Sequence, residues 1–110
     1  MSDIREARKA LLSRILEGEG KSSPSERRAA FNDSALTGTV GALVDKVAKH
    51  AHRVTDEDIA AARASGLDED QVFEIVVCAA VGQATRQYDA ALAALEAAIG
   101  KGEYAAPNPR

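Results

Sequence analysis

Residues 69–99 read EDQVFEIVVCAAVGQATRQYDAALAALEAAI, and the way this stretch folds decides the class of the protein. Its first part, Val72 to Val81, is apolar at every position but Glu74, which on its own would suit a buried strand. Three acids at its start (Asp68, Glu69 and Asp70), the alanines within it and its length favour a buried helix instead. Phe73, Val77, Ala80, Ala84, Tyr88, Ala91 and Leu95 keep helical phase straight across Gly82. The spacing therefore predicts one helix from about Glu69 to Ile99, straight or bent at Gly82, and ended by Gly100 and Gly102.

Upstream, every periodic segment is again helical. Ile4, Ala7, Leu11 and Ile15 form one stripe from about Asp3 to Glu17, with Arg5, Lys9 and Arg14 off it and Gly18 as the stop. Gly18 to Ser23 is a small polar linker. Ser23-Pro24-Ser25-Glu26 is a capping box with proline at the first helical position, opening a short helix to about Phe31. A turn at Asn32-Asp33-Ser34 leads to a third helix, whose Val40, Leu43, Val44, Val47, Ala48 and Ala51 fit the 3.6-residue period. Thr55 to Asp58 caps a short alanine-rich helix ending at Gly66. The expectation is an all-α protein of about five helices with a long C-terminal helix. Residues 1–22 form an N-terminal helix and linker, 23–100 the helical domain, and 101–110, with two prolines, a disordered tail.

Composition narrows the function classes. The chain has 110 residues and room for one domain. Hydrophobic residues are 45%, but 23 of them are alanine, so large apolar side chains are scarce for a core. With 4% aromatics, no tryptophan and a net charge of −3, neither stacking platforms nor a basic nucleic-acid footprint is present. The one cysteine excludes an intrachain disulfide, a CxxC pair and a multi-thiolate metal site. No apolar run reaches the ~20 residues of a membrane span, and the charged N-terminus has no signal-peptide core. A cytoplasmic location is expected, which leaves the sequon at Asn32 idle.

The segment 54–87, VTDEDIAAARASGLDEDQVFEIVVCAAVGQATRQ, resembles the carboxymuconolactone decarboxylase superfamily, which includes the alkylhydroperoxidase D-like proteins. The likeness is carried by the Gly66-Leu67 turn, the Asp68-Glu69 pair that follows it, and Ala79-Ala80 within a hydrophobic helix. Residues 29–53 are similar to the preceding family helix, and the resemblance spans roughly residues 24 to 95. It implies an all-helical, alkylhydroperoxidase D-like fold that assembles as homodimers, trimers or hexamers. The peroxidase members carry a glutamate, a CxxC pair and a histidine. Anchored on Gly66, those positions fall here on Thr39, Ala51, Val54 and Asp58. With no second cysteine, disulfide exchange within one subunit is excluded.

Few residues offer chemistry. His50 and His52 are the only histidines. On one helix they would sit ~200° apart, too far round to share a metal, and the helix dipole alone accounts for their place at a C-terminus. Glu74, inside the apolar run, is either an acid with a raised pKa suited to proton transfer, or an exposed or arginine-paired carboxylate. Cys78 reads as a small buried hydrophobe, with a reactive thiol or an intersubunit disulfide as the other reading. The acidic triplets at 56–58 and 68–70 lack calcium-loop spacing and suit helix N-termini. Thr37 to Gly41 lacks the rest of a nucleotide loop. No cofactor and no metal site is expected.

Two functions follow as expectations. One is a non-redox helical protein acting by self-assembly or by binding a protein partner, because Val72, Ile75, Val76, Val77 and Val81 look too numerous for a thin monomer core. The other is a cofactor-free, decarboxylase-like enzyme on a small organic acid, using His50 or His52 with Glu74. A residual peroxidase using Cys78 alone comes last.

Overall fold

The structure, a computed structural model, describes residues 2–100. The expected tail lies outside the described residues. The described residues form five α-helices: α1 (Ser2–Glu17), α2 (Pro24–Phe31), α3 (Gly38–His50), α4 (Asp56–Ala64) and α5 (Glu69–Gly100), with a 3-10 turn at Ala51–Arg53. No strand occurs among the described residues, so the all-α expectation holds, including the long C-terminal helix.

Capping sets the boundaries. The Ser23 hydroxyl accepts from the Glu26 amide while the Glu26 carboxylate accepts from the Ser23 amide. Thr55 and Asp58 repeat this exchange at α4, and Lys46 Nζ adds a 2.9 Å contact to Asp58. At the start of α5 the partner of Asp68 is Gln71: each side chain accepts from the other's backbone amide, at 2.8 and 2.9 Å. The acidic triplets are thus helix starts, and Asp58 and Asp68 act through capping hydrogen bonds as well as through the dipole.

The core is formed by α2, α3 and α4 against the first half of α5. Ala30, Leu43, Val44, Val47, Ala62, Val72, Ile75, Cys78 and Ala79 are buried together, with Phe31, Leu36, Val40, Ile59, Leu67 and Val76 packed around them. This corrects the expectation that Val72 and Ile75 overload the monomer, because the short helices cover them. Val76 is partly buried against the same core, and Val77 and Val81 are half-buried as well. Helix α5 runs unbroken through Gly82. The glycine is there for contact: a Cβ on it would collide with the Phe31 carbonyl at the end of α2. Arg86 Nη1 donates to that same carbonyl.

At 32 residues α5 is about 48 Å long, against the roughly 30 Å width of a small domain. Its distal half therefore overhangs the core. Among the described residues only α1 accompanies it, running antiparallel: Cys78 meets Ile15, Val81 and Ala84 share a groove with Leu11 and Leu12, and Arg8 pairs with Asp89 at 2.8 Å. The α1 stripe consequently stays open, with Ile4 57% and Leu11 53% exposed.

Candidate functional site

Glu74 sits on the second turn of α5, facing the linker between α1 and α2. Its carboxylate accepts from the Lys21 amide at 2.9 and 3.0 Å and from the Ser22 amide at 2.7 Å. Burial pushes its pKa up, but the Lys21 and Ser22 hydrogen bonds and the Arg27 charge outweigh it, and the net value falls below the ordinary 4.5. Of the two readings of Glu74, the raised, proton-donating acid does not fit this setting, and a carboxylate held as the anion with an arginine nearby does. The surroundings of Glu74 are backbone N–H groups, which favour the anion.

Arg27 completes this polar seam, and nothing in the sequence singles it out. Only 4% exposed, it donates from Nε to the Ser22 carbonyl and from Nη1 to the Ile15 carbonyl, both at 3.2 Å. Buried Ser22 reaches the Gln71 carbonyl at 3.4 Å. Cys78 is buried and free, its Sγ 3.5 Å from the Ile15 carbonyl. Burial pushes the thiol up; Arg27 opposes this and Glu74 adds to it. The small-hydrophobe reading of Cys78 fits this setting, and an exposed nucleophile does not.

The histidines lie elsewhere. Helix α3 ends at His50, and the 3-10 turn carries His52, so they do not share one helix as the spacing implied. Their rings stand edge to face with centroids 6.3 Å apart, and both residues are exposed. Among the described residues no hydrogen bond joins either to Glu74, and no group of three potential ligands is placed to hold a metal. The recess beside Glu74, of about 160 Å³, is walled by Arg14, Ile15, Glu19, Arg27, Phe73, Val77 and Cys78 and has no histidine. Drug-sized ligands occupy pockets of about 300–1,000 Å³, so this recess is small for one.

The other feature is an apolar face. At ~100° per residue, Val72, Ile75, Cys78, Ala79 and Gly82 point to one side of α5, toward the core. Phe73, Val77, Ala80, Ala84, Tyr88, Ala91, Leu95 and Ile99 point to the opposite side, roughly 180° away. That is the phase-keeping stripe of the sequence, and it faces outward: Phe73 is 67%, Tyr88 52% and Leu95 55% exposed. A groove of about 390 Å³ runs beside it, lined by Ile4, Arg8, Leu11, Leu12, Val81, Ala84, Thr85 and Tyr88. The one cation there is satisfied, Arg8 pairing with Asp89 and lying 5.3 Å over the Tyr88 ring. No helix is long and apolar enough to cross a membrane among the described residues. No family model, curated protein or solved structure matches the chain.

Proposed function

We propose that the protein is a non-redox helical protein that acts by self-assembly, its contact surface being the outward stripe of α5 together with α1. The observation that carries this reading is the two-sidedness of α5. One apolar side is used by the chain's own core, and the opposite stripe, from Val77 to Ile99, carries no charged residue and is only flanked by α1, leaving Tyr88, Leu95 and Ile99 52%, 55% and 43% exposed. Contiguous apolar surface of this kind marks an interaction site in a folded protein. The thiol setting supports the non-redox part, since the single cysteine is buried and has no resolving partner in its chain. We also propose, on the likeness of residues 54–87, that the chain is a divergent relative of the carboxymuconolactone decarboxylase superfamily without its CxxC pair. Light scattering on purified protein tests the assembly: a mass above 11.5 kDa at micromolar concentration is expected, and a stable monomer refutes it.

A further inference from the structure

We infer that the assembly is a two-fold pair of copies whose α5 helices lie antiparallel, Val77 of each against Leu95 of the other. This rests on the self-assembly reading and adds the occupant and the register. The stripe matches itself best when antiparallel. Large side chains stand at its ends, Phe73 and Val77 near the core and Leu95 and Ile99 at the tip, with Ala80, Ala84 and Ala91 and one large residue, Tyr88, between them. Laid antiparallel about a point level with residue 86, Phe73 comes opposite Ile99 and Val77 opposite Leu95. Ala84 comes opposite Tyr88, so a small residue receives a large one across the dyad. A parallel pair would stack Tyr88 on Tyr88 and Ala84 on Ala84, alternating crowded and empty layers, with the helix dipoles aligned.

The same two-fold operation keeps α1 on one flank of both α5 helices. The two α1 helices then abut, and their open Ile4 and Leu11 side chains close the fourth side of an antiparallel four-helix bundle. The area is of the right order. The exposed large side chains of α5 and α1, 37% to 67% exposed and ~200 Å² each, offer at most about 700 Å² per copy, near the ~800 Å² that each partner contributes to a standard interface. The recess beside Phe73 and Val77 receives the tip of the neighbouring α5. The isologous geometry is the commonest one for a homodimer.

Two single-cysteine variants, Val77→Cys and Leu95→Cys, both in a Cys78→Ala background, test the register with a short bismaleimide. The expected result is a dimer of about 23 kDa, twice the 11.5 kDa chain, that cross-links when the two variants are mixed and not when either is alone. Cross-linking of Val77→Cys to itself, or a dimer that gives no mixed product, overturns the antiparallel register while self-assembly stands. An assembly larger than two copies likewise overturns the pair alone. A monomer overturns both. Leu95→Asp, at a side chain outside the core, should give a monomer with unchanged helical circular dichroism; retention of the dimer in that variant also overturns the arrangement.

Discussion

The absence of one methyl group at Gly82 sets how closely α2 and α5 approach, because the space a Cβ would need is held by the Phe31 carbonyl. Gly82→Ala raises helix propensity by about 1 kcal/mol, yet here the two backbones must separate. Overpacking of this kind costs about 1–3 kcal/mol or more, so urea denaturation should show a net loss of stability. A gain would mean that the crossing is loose. Glu74 makes a different demand at the same scale. Its folded pKa is lowered, so its hydrogen bonds to the linker stabilise the protein above the ordinary glutamate value of 4.5. That contribution fades as pH falls below that value and through the folded one. Glu74→Gln should therefore lower the melting temperature at neutral pH and flatten its decline in acid. Parallel acid profiles for the two proteins would show that the carboxylate is idle.

Helix boundaries were legible from the chain because caps are local. Ser23 with Glu26 and Thr55 with Asp58 announce themselves by residue type and spacing, and both exchanges are made. Thr55→Ala should cost about 1 kcal/mol in equilibrium unfolding, and no change would mean that Asp58 and Lys46 hold α4 alone. The continuity of α5 could also be read, since the apolar phase carries across Gly82. What the phase does not say is which side of a two-sided helix meets the core. Val72, Ile75 and Ala79 won because the short helices α2 and α3 pack there, a choice made by topology and not by periodicity. Arg27 escaped notice for a similar reason: a lone arginine on a polar helix reads as solvated until the linker folds back over it. Cys78, on the inner side, gives a direct check on this assignment of faces. Ellman's reagent should label it only as fast as the protein unfolds, and rapid labelling of the native state would place the thiol outward.

At the scale of the molecule, the overhang of α5 ties stability to concentration. The compact half has its own buried cluster, but the arm of α1 and distal α5 leaves Ile4, Leu11, Tyr88, Leu92, Leu95 and Ile99 substantially exposed. A lone pair of helices buries too little apolar surface on itself to be firm. If a second copy covers the arm, unfolding and dissociation are linked, and mass action adds about 1.4 kcal/mol per dimer for each tenfold rise in protein concentration. For about 200 folded residues that corresponds to a rise of roughly 3–5 °C in the melting temperature. Leu95→Asp should melt at one temperature whatever its concentration, because the charge stops the cover from forming and disturbs nothing inside the chain. Calorimetry across a hundredfold range of concentration would decide it. A concentration-independent transition in the unaltered protein would show that the arm is stable uncovered, and the case for assembly through this face would fall with it.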